Sequence, residues 1–290
     1  MLRRAAYRLA LLGVTLLVIP AVPILIIYAG VSSPEYVIKG ALNIQLSERG
    51  LPSYWDVYTG FLWRMLHCDF GHSTSWGMPA TRVVLEGLAE SMPVILTCAI
   101  LTYLAGTALG AWRTKNLDAQ AAWAGARFVV FVPAVILAYL GAYGLSHLGL
   151  LQSSARYLLA GVVLSVYPIY VVSRSFGSVI AATRNSSFFR CHQAMGFRPA
   201  DIWLKFCWKA VVIDYLSSAV NLLVFMLGFL FFVEAPLGID GMGRRFVMAV
   251  HRYDYPVVIG YCIVALIVIA IVGFFVDLVR ARLDPRVENA

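Results

Sequence analysis

The sequence predicts an all-α, polytopic membrane protein: one domain, residues 1–290, with six transmembrane helices. Three observations predict it. Of the 290 residues 61% are hydrophobic and only 13% charged, and the mean hydropathy is +0.79. Soluble domains stay near half apolar and about a quarter charged. Apolar stretches of about 20 residues, the length a helix needs to cross a bilayer, recur along the chain with room for six. The Lys and Arg residues also gather in alternate connections between those stretches, as they do when cytoplasmic loops retain positive charge.

The first span is expected over residues 7–29, after Arg3, Arg4 and Arg8. It is longer than the roughly 7–15-residue apolar core of a signal peptide, and Pro20 and Pro23 should kink it. Residues 31–80 read as an outer loop, with turn signals at Ser32-Ser33-Pro34 and Gly50-Leu51-Pro52. Within it, residues 54–66 predict an amphipathic helix along the membrane surface, with Trp55, Tyr58, Leu62 and Met65 on one face. The second span, 92–112, carries Gly106 and Gly110, a small-xxx-small pair that lets two helices approach closely. Arg113, Lys115 and Asp118 follow in a short loop. Spans three and four are expected at 121–145 and 157–176, with a very short turn between them. Span five is expected at 211–233 and span six at 255–279, joined by a loop over 234–254.

Six spans put both termini on one side, and charge decides which. With the N-terminus inside, the inner segments hold fifteen Lys and Arg residues and the outer segments eight. Both termini are therefore expected in the cytoplasm. The formal net charge of +8 then reflects basic loops at a membrane face, not nucleic-acid binding.

Several chemistries are excluded or unsupported. No G-x-x-x-x-G-K-[ST] loop is present to cradle a phosphate, and neither H-E-x-x-H nor G-x-S-x-G occurs. The five cysteines are scattered, with no C-x-x-C pair. His67, Cys68, Asp69 and His72 are metal-ligating residue types, but their spacing matches no recognised site, and a polar turn beside the membrane explains them. Asp214, Glu234 and Asp277 fall at span ends, which leaves the middle of the membrane nearly free of ionisable groups. That argues against ion-coupled transport and for a pathway powered from outside the chain. Asp214 is expected to pair with a nearby Lys or Arg.

The stretch 174–209 is where the chain concentrates its signals. It carries Arg174, Arg184, Arg190, Arg198, Lys205 and Lys209 between two apolar spans. Asn185 or Ser186 can cap a short helix on which Phe188, Cys191 and Met195 recur at helical spacing. Gly196 can close that helix in the left-handed conformation, and Pro199 follows. Asp201 begins a second helix. Such a loop can dock a soluble partner, or it can serve only to fix topology.

The C-terminal motifs narrow the choice. Phe232-Val233-Glu234 is followed by Gly241-Met242-Gly243-Arg244, then by Arg252-Tyr253-Asp254-Tyr255-Pro256, Val276-Asp277-Leu278 and Leu283-Asp284-Pro285-Arg286. Upstream stand Cys68-Asp69-Phe70-Gly71-His72-Ser73 and Glu90-Ser91-Met92-Pro93. In order and spacing these resemble the permease subunits of dipeptide, oligopeptide and nickel ABC importers, the first permease of the pair.

The resemblance implies a permease in a bacterial cytoplasmic (inner) membrane, paired with a homologous second permease. It also implies two ABC ATPase subunits, which hold the ATP and Mg, and an extracytoplasmic substrate-binding protein. This chain would then be no enzyme and bind no cofactor. The coupling loop, 177–209, would dock the ATPase through Arg184, Phe188, Phe189, Arg190, Ala194, Met195, Gly196, Phe197 and Arg198. Asp69, Phe70, Gly71, Glu234, Gly241, Gly243 and Asp254 would belong to the outer surface facing the binding protein. The sequence departs from the family at Asp214, where a proline is usual, and at Ile239-Asp240, where an aromatic-proline pair is usual. An exporter-like or binding-protein-independent member moving small cations or peptides, and a non-transporting scaffold, remain open.

Overall fold

A computed structural model describes residues 13–14, 17–18, 21, 25, 53–115, 133–150 and 153–283. The described residues are helical throughout, apart from turns and an isolated bridge between His72 and Pro79. In chain order the helices are α1 (Tyr54–Leu66), α2 (Ala80–Lys115), α3 (Ala134–His147), α4 (Ala155–Arg184), α5 (Ser187–Ala194) and α6 (Pro199–Ile202). A π-helical turn (Trp203–Cys207) then leads into α7 (Trp208–Glu234), followed by α8 (Met242–His251) and α9 (Tyr255–Leu283). Four stretches are long and apolar enough to cross a membrane: Ala80–Thr114, Ala155–Arg184, Lys205–Glu234 and Tyr255–Leu283. Most of the expected first span, and the first part of the third, lie outside the described residues; Gly13, Val14, Leu17, Val18, Ala21 and Leu25 are helical.

Two helices are longer than expected. α2 begins at Ala80, well before the apolar window at 92, because its first turns are amphipathic. Ala80, Val84, Gly87 and Ser91 bury one face at helical spacing, while Arg82 and Glu86 pair on the other at 2.8 Å. The same stripe continues through Val94, Cys98, Thr102, Gly106 and Gly110. α4 runs on to Arg184, past the end expected at 176, so the helix takes in the first residues of the expected 177–209 loop. One helix was missed: α8 occupies most of the connection expected over 234–254.

The chain divides into two compact units, Met1–Ser91 with Asp240–Phe274, and Met92–Ile239 with Phe275–Ala290. In the first, Val57 and Phe61 bury one side of α1. Tyr54 and Tyr58 donate their hydroxyls to the carbonyls of Ala21 and Leu17, at 3.1 and 2.6 Å. Burial raises the Tyr58 pKa, with Tyr54 adding to the shift. These contacts correct the expected apolar face. Trp55 is 66% exposed and shares the outer side with Trp63 and Leu66, a stripe suited to a membrane interface.

In the second unit, α2 and α4 pack closely where a glycine on one helix receives the other helix's surface. A Cβ on Gly106 would stand 2.8 Å from Val172 Cγ1, and one on Gly110 would stand 2.8 Å from both Phe176 Cδ1 and the Ser173 carbonyl oxygen. On the other helix, Gly161 faces Thr97 and Cys98 in the same way. Residue numbers rise together along this contact, so α2 and α4 run parallel. α7 runs the other way against α4, with Arg156 Nη1 donating to the Gly238 carbonyl at 3.2 Å, and the Tyr167 ring tilted against Phe225 at 4.7 Å between centroids. At the opposite end Ser175 meets Asp214.

Candidate functional site

The segment from Arg184 to Lys209 folds as its sequence suggests, and the caps explain why. α4 stops at Arg184, with Asn185 as C-cap. Ser186 then serves both helices: its hydroxyl donates to the Thr183 carbonyl at 2.6 Å and accepts from the Phe189 amide at 3.2 Å. α5 closes at Gly196, whose φ is +85°. The Gly196 amide donates to the Gln193 carbonyl at 3.0 Å and the Phe197 amide to the His192 carbonyl at 3.2 Å, the paired bonds of a Schellman motif. Pro199 opens α6, where a missing amide costs nothing.

Inside this hairpin, Phe189 is 3% exposed and packs with Ile202, Cys207 and Trp203. Phe189 is thus an internal anchor, whereas the sequence reading made it part of the contact surface. Outside, the apolar side chains are left bare. Phe188, Met195, Phe197 and Phe206 are each between 39% and 58% exposed. The His192 ring gathers the aromatics, lying 4.2 Å from Phe188, 4.7 Å from Phe206 and 5.9 Å from Phe197 by ring centroids. Ala194 is exposed beside them. Arg184, Arg190, Arg198, Lys205 and Lys209 are exposed around the cluster, and among the described residues none of them sits in an ion pair. Arg190 donates to the Asn185 carbonyl at 2.8 Å, which holds it along the hairpin.

The sequence reading missed His192 and Phe206. His192 follows Phe188 by one turn and was legible. Phe206 lies on the π turn, which shifts the side-chain register, and no 3.6-residue pattern would have placed it beside α5.

The residues expected on the outer surface belong to the first unit, apart from Glu234, and most are internal. Asp69 is exposed, and its Oδ1 accepts from the Gly71 amide at 2.9 Å. Phe70, Gly71, Gly241 and Gly243 are buried. Asp254 is fully buried: its Oδ2 accepts from the Ser73 hydroxyl at 2.6 Å and from the Ser75 amide at 3.0 Å. Its backbone precedes α9, so the carboxylate ties the 67–79 turn to the start of that helix. Phe70 is sealed by Gly260, where a Cβ would lie 3.0 Å from the ring. In the second unit Glu234 is also fully buried. In the first unit it is Asp69, Arg252 and Tyr253 that are exposed.

Asp214 also departs from expectation. Its carboxylate accepts from the Ser175 hydroxyl at 2.7 and 2.8 Å, and no Lys or Arg among the described residues pairs with it. Nor do the described residues gather three or more His, Cys, Asp or Glu side chains into a metal-binding group.

Among the described residues the arrangement offers no catalytic constellation. It offers membrane helices, closely packed, with an aromatic and basic face on a short capped helix between two of them. The chain is 26% identical over 241 residues to the dipeptide transport system permease protein DppB of Bacillus subtilis (strain 168), covering 80% of this chain and 78% of that protein. It is 25% identical over 273 residues to a putative peptide permease protein of Brucella ovis, covering 86% and 83%. With the dipeptide transport system permease protein DppB of Alkalihalophilus pseudofirmus it shares 23% over 307 residues, covering 93% and 91%. Residues 85–289 match the family described as binding-protein-dependent transport system inner membrane components, and that match spans well over half of the chain. The parallel, glycine-packed membrane helices and the capped loop helix are thus those of a multi-pass permease component, and the chain belongs to the family of inner membrane components of binding-protein-dependent transport systems.

Proposed function

We propose that this permease carries short peptides inward. It forms the pathway together with a homologous second permease, in six spans with both termini in the cytoplasm. Two separate ATPase subunits, which hold ATP and Mg, drive it, and a binding protein delivers the solute from outside. The observation that carries the reading is the exposed cluster of Phe188, His192, Phe197 and Phe206 ringed by Arg and Lys. An apolar centre with a charged rim is the composition of a protein interface. A loop that only fixed topology would need the charges and not the aromatics.

The chemistry stays with the partners. Nucleotide binding shifts the ATPases between two states, and a hairpin seated in them transfers that shift to α4 and α7, which it joins. Phe188, Met195, Phe197 and Phe206 would seat in the ATPase, with Phe189 fixing the hairpin from within and Arg184, Arg190 and Arg198 setting its orientation. The peptide reading draws on what the relatives' names say they carry.

Purified complex in proteoliposomes, with binding protein and ATP, is expected to accumulate a labelled dipeptide. Full ATPase retention with no uptake of any peptide would leave a scaffold instead. The orientation has its own check: in a chain whose five native cysteines are replaced by serine, a cysteine replacing Asn185 is expected to resist an impermeant thiol reagent in intact cells and to react after the membrane is opened. Labelling in intact cells reverses the topology.

A further inference from the structure

Asp214 and Tyr215 are neighbours on α7, and each ties that helix to a different one. The Ser175 hydroxyl of α4 donates to the Asp214 carboxylate, 2.7 and 2.8 Å from its two oxygens. On α2 the Thr107 hydroxyl donates to the Tyr103 carbonyl of its own helix, so in its contact with Tyr215 the Tyr215 hydroxyl is the donor. The Tyr215 ring lies 5.1 Å from that of Tyr103 on α2 and 6.1 Å from that of Phe176 on α4, between centroids. Thr107 stands between Gly106 and Gly110, and Phe176 is a side chain that a Cβ on Gly110 would strike. Three helices of the second unit therefore meet at one level.

The junction matters because of how the hairpin joins α4 and α7. Ser186 bonds to both α4 and α5, so a displacement of the hairpin passes directly into α4. α7 is entered through the π turn Trp203–Cys207, where the regular helical ladder is interrupted. A tie above that turn makes α7 follow α4. Apolar contact alone is a weak tie in lipid, where no hydrophobic drive holds helices together. The tie present is a costly one. Asp214 lies in a stretch apolar enough to cross a membrane, and no Lys or Arg among the described residues pairs with it. Carboxylates in such stretches are rare and mark function, and a charged acceptor makes a hydrogen bond roughly twice as strong as a neutral one. We infer that Asp214 is a positioning residue for coupling. Through Ser175 it clasps α7 to α4, and its neighbour Tyr215 clasps α7 to α2, so that displacement of the hairpin moves the three helices as one block. The inference rests on the coupling role given to the hairpin above and adds what carries the displacement beyond it.

The test measures ATP hydrolysis and uptake of labelled dialanine by the reconstituted complex, read as peptide taken up per ATP. Asp214→Ala and Ser175→Ala are each expected to keep the ATPase bound and hydrolysing. Each should lower uptake per ATP by roughly three- to twentyfold, the scale of one hydrogen bond between membrane helices. Because the two residues act through each other, the double variant should be no worse than Asp214→Ala alone. Asp214→Asn still offers an oxygen to Ser175 and should recover most of the loss. A carboxylate needed for its charge, toward solute or proton, would leave Asp214→Asn as poor as alanine and Ser175→Ala near wild type. That result overturns the clasp. So does a double variant in which the two single losses multiply, and so do hydrolysis and uptake falling in proportion, which is what loosened packing gives.

Should Asp214→Ala fail to assemble, Tyr215→Phe removes only the hydroxyl that meets Thr107 and keeps the ring. Uptake per ATP is again expected to fall with hydrolysis maintained, and a wild-type ratio overturns the clasp. Failure of the reading beneath shows separately. A wild-type complex that takes up no dipeptide, or a Gly196→Val chain that retains the ATPase fully, refutes that reading first and takes the clasp with it.

Discussion

Gly110→Leu is expected to abolish most recovery of folded chain, with Gly110→Ala intermediate. The magnitudes decide the order. An alanine in a helix gains about 1 kcal/mol over glycine in propensity. Against that, its Cβ would stand 2.8 Å from the Ser173 carbonyl oxygen and 2.8 Å from Phe176 Cδ1. A backbone oxygen cannot rotate away, so α2 and α4 must separate. Overpacking of this kind costs about 1–3 kcal/mol, and leucine adds three more carbons to the same gap. In a bilayer the loss is not recovered elsewhere. Lipid is as apolar as the helix surface, and close van der Waals contact is what holds membrane helices together. Gly144 is the control, since a Cβ there meets nothing within 4 Å. The check is the monodisperse yield and melting temperature of the purified chain in detergent. Gly144→Leu should match the wild type, Gly110→Ala should melt lower, and Gly110→Leu should be recovered poorly. Equal stability of all four proteins would show that the α2–α4 approach is not close.

How much of this was legible follows from what each signal measures. α1 and α5 were readable because their ends are chemical. Residues 54–66 have turn signals on either side, and α5 has Ser186, Gly196 and Pro199. The membrane helices were found by hydropathy, which marks where lipid begins and not where a helix ends. That is why α2 starts at Ala80 and α4 runs to Arg184, each beyond its apolar window. α8 was hidden because Gly241 and Gly243 read as turn residues. In the fold Gly241 is the N-cap and Gly243 a buried first-turn position, and the Met242 amide donates to Ser91 Oγ at 2.7 Å across a long stretch of sequence. The outer residues were chosen correctly as special and wrongly as exposed. Nothing in Asp69-Phe70-Gly71 or Asp254 says which side chain turns inward until Ser73 and Asp254 are seen to meet.

Gly196→Val is expected to uncouple the complex while leaving the membrane helices intact. Gly196 stands at φ +85°, and a Cβ there meets no atom within 4 Å. The space is open, so the whole penalty is conformational. For a residue with a Cβ the left-handed region costs roughly 1–2 kcal/mol, and for a β-branched one it is a true outlier. Valine is expected to move to negative φ, and the bonds from Gly196 to Gln193 and from Phe197 to His192 then break. Phe197 swings away from His192 and Phe206, and Arg198 turns with it, so the docking face loses its shape. Phe189, beneath, keeps its contacts with Ile202, Cys207 and Trp203, which is why the hairpin should stay folded. A penalty of that size corresponds to a loss of about 5–30-fold in an equilibrium. Retention of the ATPase on purification and peptide-stimulated ATP hydrolysis should both fall by an amount in that range, with normal membrane insertion. Gly196→Asn supplies the check on cause, because asparagine visits the left-handed region with its side chain bonded locally. It should recover most of the loss. Valine and asparagine variants that lose function equally would point to the added side chain itself, not to φ. A valine variant that retains the ATPase fully would remove the hairpin from the coupling path.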